Sequence, residues 1–437
     1  MKQLYKALFI LCIVFFSCSK PSFQLDTYTL DNIINKYVSE DYYPFLHVLI
    51  DDKDGHTIYD YSSVNKNAHP ELKVDKNTLM RIWSMSKIVT ISIVMDLVEE
   101  KLISLDDAVT DYIPEFKSLD VAKSPDGRSL SVFTSGSIFE GPIENNVDLA
   151  CPMELKKSDS IMLVRHLVDH TAGFYYANTG IECLDKLIID EDPVMADNSD
   201  SLINILSRLP LIHHPGERYH YGLNTTVLGL VAERATNMSL EELVENRITR
   251  PSGFDGLKFK VNDNEKLIPA MTYKDGYFRK PNKGEMDISG NNVPRYDKNQ
   301  QLYIGGGGLV STSKAYANYL RIWLNNGPAP NSRAFSVICL RAVFRCGGVP
   351  FLCGKLDSMQ PIGFIAASIE LATCASGDES AERVAAASAH VKRSESHLAV
   401  AESSGSRRRA GRPRFWPRLT SPPSTTTSTA TDSYTHL

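Results

Sequence analysis

Four places in this 437-residue chain set a serine three residues ahead of a lysine: Ser17–Lys20, Ser63–Lys66, Ser84–Lys87 and Ser311–Lys314. Residues three apart share a helix face, so hydroxyl and amine can meet. A serine hydroxyl is a weak nucleophile until a neighbouring base takes its proton, and a buried lysine of lowered pKa is one such base. The same spacing also describes an ordinary helix start, so context must separate the four copies. Ser17 lies in an apolar leader, and Ser63 follows a strand edge. Ser311 opens a helix whose buried face reads Tyr316, Tyr319, Leu320 and Trp323. Only Ser84 heads a long apolar segment, Ile88 to Val98. A helix of that composition is buried, and its first turn can lie in a cleft where burial lowers a lysine pKa.

The elements that must position this pair are legible in outline. Phe45–Ile50 and His56–Tyr61 flank Asp51–Asp52–Lys53–Asp54–Gly55 and predict a β-hairpin. Residues 120–160 are polar and turn-rich and read as an insertion or long loop. Helical patterning follows over 161–170, 202–209 and 225–236. A further helix spans 240–248, with Ser239 and Glu242 spaced as a capping box. Residues 260–303 read as loops and short strands, and Gly305–Gly306–Gly307–Gly308 precedes a last helix ending near Asn325. A hairpin followed mostly by helices predicts an α+β fold with an inserted helical region.

Composition bounds the rest. With 43 % hydrophobic and 23 % charged residues the chain has the makings of a packed core. A net charge of −5 and a pI near 6.1 speak against a nucleic-acid partner. Met1–Ser17 joins Lys2 and Lys6 to the apolar run Ala7–Phe16, too short to span a bilayer, and reads as an export signal. Cys18, after a small residue and before Ser19–Lys20, resembles a bacterial lipoprotein cleavage box. A lipidated Cys18 would hold the protein on a membrane surface in the cell envelope; a plain secretory signal with an incidental cysteine is the other reading. Residues 18–44 form a polar lead-in, and residues 45–327 the main domain. Between Cys18 and residue 327 only Cys151 and Cys183 remain, and they could pair in an oxidising compartment. Residues 1–327 hold 23 Lys, 11 Arg and 22 Asn, whereas 328–437 hold 2 Lys, 11 Arg, 1 Asn and 16 Ala. That shift reads as a frameshifted or chimeric tail, with a natural disordered tail as the alternative.

Several blocks together resemble the serine β-lactamase-related family of class C β-lactamases, D-alanyl-D-alanine carboxypeptidases and family VIII carboxylesterases. They are Asn77–Lys87 with Leu97–Lys101 and Asp111–Phe116, then His166–Phe174, then Pro215–Tyr221 with Val227–Gly229, and finally Gly305–Thr312. The resemblance implies a β-lactamase/transpeptidase-like α+β fold, an antiparallel sheet flanked by helices. It implies that Ser84 forms an acyl-enzyme, that Lys87 is general base or proton shuttle, and that Tyr221 shares the proton transfer. It also implies a small-molecule ester, β-lactam or D-amino-acid peptide as substrate. Two departures stand out. Leu223 occupies the place of the asparagine in the Tyr-x-Asn motif, with Asn224 one residue further, as in the esterase branch. The third motif, Lys-Thr-Gly or His-x-Gly on a strand beside the nucleophile, has no match after residue 327, so the C-terminal strands are expected to be missing. No cofactor or metal is expected: His166 and His170 lack the glutamate of a zinc-binding helix, and the four glycines lack the Lys-Ser/Thr of a phosphate loop and instead allow close backbone packing.

Overall fold

In a computed structural model of the chain, the described residues are 25–325 without 68–69, 125–152, 178, 275 and 283–295. The expected lead-in contains a helix, α1 (Thr27–Ser39). Only Ile34 and Val38 are buried along its length, so apolar periodicity barely marks it. It packs on the hairpin of β1 (Phe45–Asp51) and β2 (Thr57–Val64), antiparallel with Val48 opposite Tyr61. Asp31 accepts from the Tyr59 hydroxyl at 2.6 Å and Asn35 donates to Tyr61 at 2.7 Å, fastening helix to sheet. On the hairpin's other flank, His47 meets Ser313 at 2.7 Å and Asp51 pairs with Arg321 at 3.0 Å, both from the last helix.

The apolar run after Ser84 forms α2 (Ser86–Glu99), buried from Ser86 to Leu97 apart from Ile88. A chain segment apolar on all sides can be helical only where neighbours cover all of it. Helix α3 (Val164–Val168) is shorter than the pattern over 161–170 predicts. Next come α4 (Glu182–Glu191), unmarked in the sequence reading, and α5 (Ser199–Arg208). Helix α6 (Asn224–Thr236) packs along α2, and α7 (Leu240–Val244) carries the expected Ser239–Glu242 capping box before a π turn at Glu245–Thr249. The last helix, α8 (Ser313–Leu324), buries Tyr316, Tyr319 and Leu320.

Short strands tie the helices together. β3 (Met80–Arg81) and β6 (Leu257–Lys258) flank β9 (Val310–Ser311), all antiparallel, and β3 feeds directly into the Ser84 turn. The polar stretch expected to be loop begins and ends in strands: β4 (Asp120–Lys123) pairs with β5 (Glu154–Lys157). β5 is fully exposed, so backbone pairing holds it where no apolar side chain signals it. A hairpin, β7 (Thr272–Lys274) with β8 (Tyr277–Arg279), occupies the region expected to hold short strands. The architecture is the expected α+β mixture of helices and antiparallel sheets. The expected loss of C-terminal strands, the anomalous tail, the leader and Cys18 all fall outside the described residues. Cys183 is in a disulfide, and the other seven cysteines lie outside the described residues.

Two loops, 169–177 and 211–223, press together beside α6. A Cβ added at Gly222 would stand 2.2 Å from the Phe174 carbonyl oxygen and 2.6 Å from the Tyr175 Cα. Backbone on both sides cannot yield cheaply, so Gly222→Ala should lose about 3 kcal/mol of stability in denaturant unfolding.

The same loops bury His170, His213 and His220, each at most 5 % exposed. Burial pushes His170 and His220 down to about 3 and His213 to about 4. Lys87 adds to the shift of His170, and His213 to that of His220, while the His214 carbonyl opposes it for His213. Unfolded histidines titrate near 6.5, so between those values unfolding takes up protons. The stabilisation from keeping these rings neutral is complete above pH 6.5 and is lost as pH falls through 4 and 3. Each ring should steepen the decline by about 1.4 kcal/mol per pH unit. Denaturant midpoints measured from pH 7 to pH 5 should fall sharply, and His220→Leu should flatten the slope. A midpoint constant over that range would contradict the burial of neutral rings.

Candidate active site

Ser84 sits in a single 3₁₀ turn, Trp83–Met85, between β3 and α2. Trp83 ahead of it has φ +42°, a left-handed conformation that a bulky side chain adopts only under constraint, at roughly 1–2 kcal/mol. The constraint is visible on both sides. Ile82 N–H donates to the Leu309 carbonyl at 3.1 Å, Leu309 N–H donates to Ser86 Oγ at 3.1 Å, and the Tyr316 hydroxyl donates to the Met85 carbonyl at 3.2 Å. The turn leaves Ser84 exposed while Ser86 and Lys87 are buried.

Lys87, one turn on, is 7 % exposed. Its Nζ donates to Ser84 Oγ at 3.2 Å, to the Tyr176 hydroxyl at 3.3 Å and to the Gly306 carbonyl at 2.7 Å. Three of the four glycines do act through close approach. A Cβ on Gly306 would come 2.6 Å from Thr226 Oγ1, one on Gly305 2.9 Å from the Thr225 carbonyl and one on Gly308 2.8 Å from the Ile304 carbonyl. Without side chains, this turn can lay its carbonyls on α2, with Gly305 accepting from Thr90 at 2.8 Å as well. The expectation of a lowered lysine pKa is corrected here. Burial pushes the ammonium down, but the facing oxygens of Tyr176 and Tyr221 outweigh it, so Lys87 stands above the ordinary lysine value.

The structure brings Tyr221 to the same point. Its hydroxyl donates to Ser84 Oγ at 2.7 Å, and Lys87 Nζ lies 4.6 Å from its ring centroid. Ser84 and Lys87, paired by their spacing, and Tyr221, implied by the resemblance, therefore meet around one oxygen. Sequence reasoning missed Tyr176, a buried phenol whose titration burial pushes up and which closes the far side of Lys87. It follows the His-Thr-Ala-Gly turn directly, and a buried tyrosine needs a partner for its hydroxyl. That requirement was the available signal. His170 stacks on Tyr221 with centroids 5.1 Å apart and planes at 22°.

Asn224 does not face Ser84. It is fully buried, and its amide nitrogen donates to the His220 carbonyl at 3.1 Å and to His170 Nδ1 at 3.2 Å. Leu223, in the place of the motif asparagine, is also buried. His166 accepts from the Leu163 N–H at 3.2 Å and so caps α3. No group of three or more His, Cys, Asp or Glu side chains suited to a metal ion occurs among the described residues.

A hydroxyl between an ammonium and a phenol, on an exposed turn, has the parts for nucleophilic acyl transfer. Comparison with known proteins agrees at the level of family and fold. Protein Rv1367c of Mycobacterium tuberculosis is 25 % identical over 267 residues, 60 % of this chain and 58 % of that protein. Esterase EstB of Burkholderia gladioli is 27 % identical over 204 residues, 46 % of this chain and 43 % of that protein. The chain thus spans about three-fifths or less of the length of these relatives. The solved structure of EstCE1, a hydrolase with promiscuous acyltransferase activity, superposes with TM-score 0.53 and 19 % identity, over 72 % of this chain and 75 % of that one. The Beta-lactamase family model matches residues 48–335, from within β1 to beyond α8, and on that match the chain belongs to the Beta-lactamase family.

Proposed function

We propose that this chain is a serine hydrolase that cleaves carboxylic esters through an acyl-enzyme on Ser84. The observation that carries the reading is the exposed Ser84 Oγ, 2.7 Å from the Tyr221 hydroxyl and 3.2 Å from Lys87 Nζ. Lys87 and Tyr221 exchange protons as a unit, and one deprotonated member leaves an acceptor at Oγ. The Tyr221 oxygen, 2.7 Å from Oγ against 3.2 Å for Lys87 Nζ, is the nearer acceptor once its own proton has passed to solvent. Ser84 Oγ then bonds to the carbonyl carbon while its proton passes to Tyr221. The ester C–O bond breaks and the leaving alcohol takes the proton back. Water attacks the acyl-enzyme by the same route in reverse. The Ser84 backbone N–H, in the first turn of the helical stretch, lacks an intrahelical acceptor and supplies a donor to the developing oxyanion.

Esters are favoured over lactams and peptides because Asn224, the nearest amide to the Tyr-x-Asn position, is turned into the core. The sequence similarity to esterase EstB supports the same choice. The leader and Cys18 support an exported enzyme anchored at a membrane surface, and no helix among the described residues is long and apolar enough to cross one.

Steady-state rates on a short-chain p-nitrophenyl ester and on nitrocefin test the assignment. The ester should be the better substrate by kcat/KM, and Tyr221→Phe should lower kcat on it about 10²–10⁴-fold. Faster turnover of nitrocefin would replace the esterase reading with a β-lactamase one.

A further inference from the structure

We infer that His170, locked as a neutral ring by Asn224, is the positioning residue that holds the Tyr221 phenol on Ser84. This rests on the hydrolase reading above but concerns a residue outside the Ser84–Lys87–Tyr221 set. The His170 ring is 5 % exposed and lies flat on Tyr221, centroids 5.1 Å apart, with Tyr219 at 5.9 Å on the side of the loop. Its orientation is fixed by hydrogen bonds from the start of α6. The Asn224 amide nitrogen gives one proton to the His220 carbonyl at 3.1 Å and faces His170 Nδ1 at 3.2 Å. The His220 carbonyl at 3.1 Å and the Phe174 carbonyl at 3.5 Å both demand a donor, so the amide cannot be turned round, and its N–H₂ facing Nδ1 leaves that nitrogen the role of acceptor. The ring proton is then on Nε2, which faces Thr225 Oγ1 at 3.4 Å.

A second ring proton would set N–H against N–H₂ at Asn224, beside the Lys87 ammonium. The site therefore excludes the imidazolium by geometry and by charge. The titratable groups around the ring are Lys87, Tyr219, Tyr221 and His220. The backbone is fixed too: His170 has φ +56°, and its carbonyl accepts from the His220 N–H at 2.7 Å. Loop, ring and amide thus form one rigid support under the phenol. Without the ring, Tyr221 can swing away from Ser84, and misplacement by about 1 Å is worth about 10²-fold in rate.

His170→Asn deletes the ring and keeps a residue tolerated at positive φ. It should lower kcat on a p-nitrophenyl ester about 10–100-fold with KM within about twofold, and should slow phosphonate labelling of Ser84 in parallel. Added to Tyr221→Phe, it should cause no further loss, since the group it positions is gone. Asn224→Asp is the second variant. It replaces the donor facing Nδ1 by an acceptor, so the acid limb of the kcat profile should move up by at least about one pH unit. Wild-type kcat in His170→Asn, or an equal further loss in the Tyr221→Phe background, would overturn the positioning role. An unmoved acid limb in Asn224→Asp would overturn the lock. A wild-type chain that neither turns over esters nor takes the label overturns the hydrolase reading and this proposal with it.

Discussion

The site depends on a buried ammonium. Lys87 lies under 10 % exposed, and its hydrogen-bond partners include the Gly306 carbonyl and the hydroxyls of Ser84 and Tyr176. A charge in that position persists only when oxygen dipoles replace the water it has lost. The Gly306 carbonyl can reach it because Gly305, Gly306 and Gly308 present no Cβ to Thr225, Thr226 and Ile304. The phenols of Tyr176 and Tyr221 complete the shell, and their oxygens reverse the effect of burial on the lysine. Hence Gly305, Gly306 and Gly308, the aromatic run after the His-Thr-Ala-Gly turn and the start of α6 serve one electrostatic requirement.

Supporting that charge uses conformations that are individually unfavourable. Trp83 is held left-handed before Ser84, His170 is held left-handed beneath Tyr221, and His170, His213 and His220 are buried in the loops beside α6. Each is sustained by the packing of α2 against α6 and by the β3–β9–β6 strands that clamp the Ser84 turn. Left-handed backbone at a tryptophan and a histidine that flank the same serine and tyrosine is the kind of local strain that packing sustains where part of a fold is shaped for chemistry.

The sequence made the elements with strong local signals readable. The Asp-Gly hairpin, the apolar helix after Ser84 and the Ser239–Glu242 cap appear where pattern places them. Helix α1 and strand β5 were not legible, because one buries only two side chains and the other none, and tertiary pairing alone holds them. For the site, spacing and resemblance pointed to Ser84, Lys87 and Tyr221. The direction of the Lys87 shift could not be read, because it turns on two phenols from segments about 90 and 130 residues away in sequence. Tyr176, His170 and the inward turn of Asn224 belong to the same long-range information.

The central claim is that the Lys87–Tyr221 pair makes Ser84 a nucleophile. Its most direct test is incubation of the full chain with a fluorescent phosphonate, followed by intact-mass and peptide-mass analysis. The account predicts one adduct per chain on the peptide carrying Ser84, absent from Ser84→Ala. An adduct on another residue, or labelling that survives in Ser84→Ala, would contradict it.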